Sequence, residues 1–230
     1  MMPVFDLDRN SVRELNAALH RLPQNTNETL WEITNSNGKH AVGAGVDAPI
    51  EVEIKGHVGY YCAGMNKQAS VRIYGNAGTG VAENMMSGVV HVMGDVSQSA
   101  GATGHGGLLI VDGDAAARCG ISMKGIDIIV KGSIGAMSAF MAQAGNLVVF
   151  GDAGDALGDS IYEASIFVRG QVKSLGADCI EKPMTADDKA RLAEVLSRAG
   201  LRDGINIDEF RMYGSARSLY HFHVDNISSY

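Results

Sequence analysis

Residues 89–113 read VVHVMGDVSQSAGATGHGGLLIVDG, an apolar run closing on Gly94 and a second closing on Gly113, 19 residues later. The pattern recurs as IEVEIKG, SVRIYG, VVHVMG, LLIVDG, DIIVKG, NLVVFG and SIFVRG. The closing glycines are Gly56, Gly75, Gly94, Gly113, Gly132, Gly151 and Gly170, and every interval is 19. Two positions before each glycine stand Ile54, Ile73, Val92, Val111, Val130, Val149 and Val168; four before stand Val52, Val71, Val90, Leu109, Ile128, Leu147 and Ile166. All are aliphatic, and a spacing of two places both columns on one face of a strand.

The remaining columns complete the unit. Directly after the glycine come His57, Asn76, Asp95, Asp114, Ser133, Asp152 and Gln171, all polar. Seven after it come Ala63, Ala82, Gly101, Gly120, Ala139, Gly158 and Ala177, all small, which predicts a close approach of backbone there. One such unit cannot bury its apolar face alone, whereas stacked units bury a continuous core. Units of 19 residues are too short for βαβ crossovers, which need about 30, and they lack the leucine-rich pattern. The sequence therefore predicts an all-β core: a right-handed, single-stranded parallel β-helix of about seven 19-residue coils, with flanking N- and C-terminal helices. At roughly 4.8 Å per coil the rod is about 30 Å long.

Three stretches follow: 1–45 as N-terminal helix and arm, 46–181 as β-helix, and 182–230 as C-terminal helix and aromatic tail. Ser11 and Glu14 have capping-box spacing, with Val12, Leu15 and Leu19 on one face. The arm, 22–45, reads as irregular, with one strand around Trp31–Ile33. Thr185 and Asp188 open a second helix whose Leu192, Val195, Leu196 and Ala199 face inward, and Gly200 stops it. Sheet edges at the rod's ends need covering, and the two helices are the natural caps. The outward column three before each glycine runs Glu53, Arg72, His91, then Ile110, Ile129, Val148, Phe167. An outer face that turns apolar is covered by something: the chain's own C-terminal segment, another subunit, or some of each.

Composition narrows the function. Hydrophobic residues make up 46%, enough for one sizeable core, and glycine supplies 29 of 230 residues. The net charge of −7 without a Lys/Arg cluster argues against nucleic-acid and membrane partners. No stretch approaches the roughly 18 apolar residues of a membrane span. The opening MMPVFDLDRNSVREL carries acids where a signal peptide is basic, so a cytoplasmic location is expected. Cys62, Cys119 and Cys179 include no CxxC pair; Cys62 and Cys119 share a column three coils apart, roughly 14 Å, too far for a disulfide. GNAGTG at 75–80 and GATGHGG at 101–107 neither open a helix nor carry the Lys-Ser/Thr of a phosphate loop, and read as turns. Asp152, Asp155 and Asp159 gather near one turn, where such residues ordinarily serve the turn itself. The His221/His223 pair in the tail is too small a ligand set for a metal, and Met65, Met85, Met86, Met123 and Met141 read as adaptable core filler. No catalytic, cofactor-binding or metal-ligating residue is assigned.

GNAGTGVAENMMSGVVHVMGDV and MKGIDIIVKGSIGAMSAFMAQAGNLVVFGDAGDALGD resemble the GXGXG β-helix family. That family includes the C-terminal domain of the glutamate synthase large subunit and the β-helix component of formylmethanofuran dehydrogenase. The DLDRNSVRELNAALHRLP opening and SARSLYHFHVD ending are most similar to the small β-helix subunits of N-methylglutamate synthase (methylamine–glutamate N-methyltransferase). In three of the seven coils the middle glycine of the G-x-x-G-x-G turn is absent; Ser97, Ala116 and Lys173 stand where Gly78 does in its coil. The resemblance implies a non-catalytic subunit, inactive alone, that spaces a glutamine amidotransferase-like partner from an FMN-binding, glutamate synthase-like partner. FMN and an iron–sulfur cluster are expected on that partner, and none on this chain.

Overall fold

The computed structural model describes residues 3–27 and 29–217. It is a parallel β-helix. Strands β1 (Val4–Asp6), β2 (Leu30–Thr34), β3 (Glu51–Ile54), β4 (Ser70–Ile73), β5 (Val89–Val92), β6 (Leu108–Val111), β7 (Lys124–Val130), β8 (Ala144–Val149) and β9 (Ser165–Val168) stack in chain order. From β3 to β7 the register advances by 19 residues: Ile54 pairs with Ile73, Ile73 with Val92, Val92 with Val111 and Val111 with Val130. A second line of parallel bridges joins Val58, Ala77, Val96, Ala115, Ile134, Ala153 and Val172, two residues past each glycine. Both inward columns fill the rod; Val52, Ile54, Ile73, Val92, Ile128 and Val149 are fully buried.

The small column seven past the glycine has a cause beyond crowding. Ala63, Ala82, Gly101, Gly120, Ala139 and Gly158 adopt the left-handed conformation, with φ between 52° and 68°. That region disfavours branched and bulky side chains. Positions two before and two after, such as Met137 and Met141 around Ala139, are left-handed as well. The strain is offset by hydrogen bonds in both directions: Ala139 N–H donates to Cys119 O in the preceding coil (2.8 Å), while Met137 and Met141 donate to Asp155 O and Asp159 O in the next (2.7 and 2.9 Å). The turn half of each coil is thus a bonded wall.

The strand expected around Trp31–Ile33 is β2, parallel to β1 and β3; where irregular arm was expected, the chain then follows the coil path, with Ala41, Gly43 and Gly45 left-handed in turn. Helix α1 (Val12–His20) opens with the Ser11/Glu14 capping box and buries Leu15 and Leu19. It lies on this first turn through Asn16 Nδ2 to Ala41 O (2.8 Å) and Gly43 N–H to Asn16 Oδ1 (3.0 Å). It covers the N-terminal end of the rod, as expected.

Helix α2 (Ala186–Arg198) does not cap the other end. Thr185 and Asp188 form its capping box and Gly200 follows at φ 69°, but the helix lies along the outer face of the sheet. There Leu192, Val195 and Leu196 form one cluster with Leu108, Ile110, Ile129, Val148 and Phe167. The C-terminal end is closed by strands instead. β10 (Cys179–Lys182) leaves the last coil, and β11 (Arg211–Ser215) returns after a short 3-10 turn at Ile207–Glu209 to insert antiparallel between β9 and β10.

Candidate partner-facing surfaces

The polar column after the glycine is a hydrogen-bond ladder. His57 Nδ1 accepts from Asn76 N–H (2.9 Å), Asn76 Oδ1 from Asp95 N–H (3.0 Å), and Asp95 Oδ1 from Asp114 N–H (2.9 Å). Asp114 Oδ1 accepts from Ser133 N–H (2.7 Å), Ser133 Oγ from Asp152 N–H (2.9 Å), and Asp152 Oδ1 from Gln171 N–H (2.7 Å). From Asn76 onward each acceptor lies where the next closing glycine would carry a Cβ: Asn76 Oδ1 at Gly94, Asp95 Oδ1 at Gly113, Asp114 Oδ1 at Gly132. Glycine and acceptor therefore require one another. This excluded volume, not left-handed backbone, explains those glycines.

The carboxylates gathered near one turn are committed the same way. Asp152 belongs to the ladder, Asp155 pairs with Lys173 at 2.7 Å, and Asp159 accepts from Ser160 Oγ at 2.8 Å. Among the described residues no group of three His, Cys, Asp or Glu side chains is placed to hold a metal ion. The His221/His223 pair lies outside the described residues. Cys62 and Cys119 are fully buried, and burial pushes both thiols up to about 12. They are inert fillers, not nucleophiles. GNAGTG and GATGHGG both fall in turns between strands.

Two outward regions differ. On β6–β9 the apolar column is buried: Ile110 is 6% exposed, and Ile129, Val148 and Phe167 are 0%. Its cover is the chain's own α2, so no partner is needed on that column. At its edge Arg198 pairs with the buried Asp127 carboxylate, whose Oδ1 accepts from Asn146 Nδ2 (2.7 Å), and Arg191 Nη1 donates to Ser165 Oγ (2.9 Å). On β2–β5 the column residues Glu53, Arg72 and His91 are not part of the α2 cluster. Glu53, Lys55 and Tyr74 form a network there (Lys55–Glu53 2.5 Å, Tyr74 Oη to Glu53 3.0 Å), and Arg72 is exposed. Asp112, one residue past β6, lies 2.7 Å from Lys131 and 3.0 Å from His91.

The methionines divide. Met85 and Met123 fill the core, but Met65, Met86 and Met141 are 47%, 44% and 40% exposed, as are Tyr60 and Tyr162 at 60% and 48%. Three of the five are therefore surface residues, which sequence alone did not separate from core ones. A hollow of about 270 Å³ beside β10 and β11 is lined by Lys182, Met184, Lys189, Asp208, Phe210 and Met212; the Lys189–Asp208 pair (2.6 Å) spans part of it.

No family model matches this chain. A solved chain of the formyltransferase/hydrolase complex from Methylorubrum extorquens, with methylofuran, aligns with a TM-score of 0.54 over 67% of this chain and 69% of its own, at 23% identity. That likeness is one of fold. Protein GlxC of Rhizobium meliloti (strain 1021) is 59% identical over 229 residues, covering 100% of both chains. Identity of that extent, along the whole length, makes this chain a member of the GlxC family.

Proposed function

We propose that this chain is a non-catalytic β-helix subunit of a multi-subunit enzyme of the glutamate synthase type. The specific assembly we favour is N-methylglutamate synthase, which exchanges methylamine for the amino group of glutamate and releases ammonia. The observation that carries the reading is how the chain uses its polar side chains. The turn carboxylates and amides from Asn76 to Asp152 bond coil to coil, the core thiols are buried, and the helices are fixed by their own caps. A rod built this way has a length set by coil number and bends little, which suits holding two catalytic subunits at a set distance. In this reading one partner resembles a glutamine amidotransferase and the other binds FMN and an iron–sulfur cluster. Because the interior columns are filled by side chains, ammonia or methylamine would pass along the rod's surface and not down its axis. The open face of β2–β5 and the exposed methionines are the surfaces available for those contacts.

A second reading, a subunit of a formyl-transfer or hydrolase assembly, is favoured by the fold neighbour's membership of such a complex. Co-purification of the tagged chain from its native host separates the two. The first reading expects an amidotransferase-like and a flavin-containing partner, with methylamine-dependent N-methylglutamate formation. Ammonia-only glutamate formation shifts the assignment to a glutamate synthase relative, and metallohydrolase partners favour the second reading. A chain that elutes alone and flavin-free overturns both.

A further inference from the structure

The hollow of about 270 Å³ opens where the end of β10, the start of α2, the 3-10 turn and the start of β11 meet. That is close to the lower end of ordinary small-molecule sites, about 300 Å³. Its apolar wall is Met184, Phe210 and Met212, the last two buried. Three cations, Lys182, Lys189 and Arg211, line it with two carboxylates, Glu181 and Asp208, so in a chain of net charge −7 this lining carries a surplus positive charge. The surplus can be assigned to one residue. Lys189 pairs with Asp208 at 2.6 Å, while Arg211 lies 3.8 Å from Glu181 and donates to Gly170 O at 2.7 Å. Lys182 is half-buried, its aliphatic stem lies over Gly214, and among the described residues its ammonium has no hydrogen bond or ion pair. It acts on the Asp188 carboxylate only through the field, and that group is already held by Thr185 and Arg191. Unlike the turn column, whose polar atoms bond from coil to coil, this ammonium is uncommitted.

We propose that this hollow binds a small organic monoanion: a carboxylate on the Lys182 ammonium, with Lys189 and Arg211 beside it, and a hydrocarbon body against Met184, Phe210 and Met212. One surplus charge matches one negative charge. Inorganic phosphate fits less well. Its usual cradle is a set of free N–H groups at a helix start, and here the start of α2 is closed by its own cap, with Asp188 N–H donating to Thr185 Oγ (3.2 Å) and Thr185 N–H to the Asp188 carboxylate (3.0 Å). That carboxylate also repels a dianion. A bare anion leaves the apolar wall in water, whereas a hydrocarbon body removes it. A cation of the same shape would have to displace Lys189 from Asp208 or Arg211 from Glu181. Once bound, the ligand touches all four segments of the C-terminal closure, and by binding only the folded chain it stabilises that closure.

Methionine-methyl NMR on the full chain tests this, with hexanoate as the probe. Met184 and Met212 report on the hollow, and the exposed Met65 and Met86, in other coils, are internal controls. Hexanoate should shift Met184 and Met212 saturably, with a Kd on the order of 1 mM, as suits so small a ligand, and leave Met65 and Met86 unmoved. Acetate keeps the carboxylate and loses most of the body, so it should bind at least about tenfold more weakly. Hexylammonium and inorganic phosphate should saturate neither methyl. Lys182→Gln should weaken hexanoate at least about tenfold, and Lys182→Arg, which keeps the charge, should retain most of the binding. No shift of Met184 and Met212 at tens of millimolar hexanoate, or equal shifts at Met65 and Met86, would overturn the proposal. So would phosphate or hexylammonium binding as well as hexanoate, or undiminished affinity in a folded Lys182→Gln chain. The probe series on the parent chain decides even where a variant fails to fold.

Discussion

Strands β3–β5 and β6–β9 are laid down by the same coil, with the same inward columns and the same glycine turn, yet their outward faces have opposite fates. Glu53 and His91 pair with polar neighbours and Arg72 meets solvent, while the equivalent Ile110, Ile129, Val148 and Phe167 disappear under α2. The inward columns repeat because every coil must fill the same axis. The outward column is free to vary, so it records what lies on each part of the rod. An apolar outward column by itself does not distinguish a subunit interface from a chain folded back on itself; here it is the latter.

The largest effect follows from swapping the character of the two halves. Ile129→Asn places an amide where no described partner awaits it and removes a fully buried side chain. It should cost about 3–5 kcal/mol. Arg72→Asn, in the same column three coils away and exposed, should stay within about 0.5 kcal/mol. Urea unfolding of both variants measures the difference. Comparable losses would mean the open half is as structurally committed as the covered one.

The polar edge of the α2 contact is next. Arg198→Ala leaves Asp127, whose side chain is 10% exposed, without its cation. A loss of about 1–3 kcal/mol is expected, since stranding one partner costs more than the pair contributes. Asp127→Asn in the same chain should restore much of it, because the amide needs no counter-charge. A double-mutant cycle with no coupling would show that α2 is held by Leu192, Val195 and Leu196 alone.

The turn column offers a control in which the halves should agree. Gly94→Ala lies in the open half and Gly132→Ala in the covered half, and in both a Cβ meets the preceding coil's side-chain oxygen, from Asn76 and Asp114 respectively. Each should lose about 1–3 kcal/mol, read by thermal or urea unfolding. Asn76→Ala should relieve part of the Gly94→Ala loss. A cost confined to one half would place the glycine requirement in the outer cover and not in the turn.

Much of this was legible in residues. Gly56 to Gly170 at a fixed interval gave coil, register and inward faces, and Ser11/Glu14 and Thr185/Asp188 gave both helix starts. The reasons behind two columns were not legible. A row of Gly and Ala reports that something is small without distinguishing crowding from left-handed backbone, and Tyr61, Arg118 and Met137 are left-handed without looking it. Nor does a polar column announce that His57 through Asp152 each accept from the next coil. The course of the chain beyond Gly200 depended on long-range pairing: β11 joins β9 across some forty residues of intervening chain, and no local pattern in RMYGS specifies that partner. The surface roles of Met65, Met86 and Met141 escaped for a similar reason. Met fits core and surface alike, so position around the coil decides, not residue type.

The smallest expected effect sits on the seam between the halves. Burial works to raise the pKa of Asp112, but Lys131 and His91 on its carboxylate outweigh that, and the net shift is downward. With the folded value below the unfolded one, near 3.9, the ionised carboxylate stabilises the fold above the unfolded pKa. That contribution disappears as pH falls through the folded value. Asp112→Asn should therefore cost less than about 1 kcal/mol at pH 7 and make the variant less sensitive than the parent to acid below about pH 4. Paired urea titrations at neutral and acid pH read both quantities. A parallel acid limb in the two proteins would mean that Asp112 contributes nothing to the seam, leaving the transition from open to covered face to the apolar residues beneath α2.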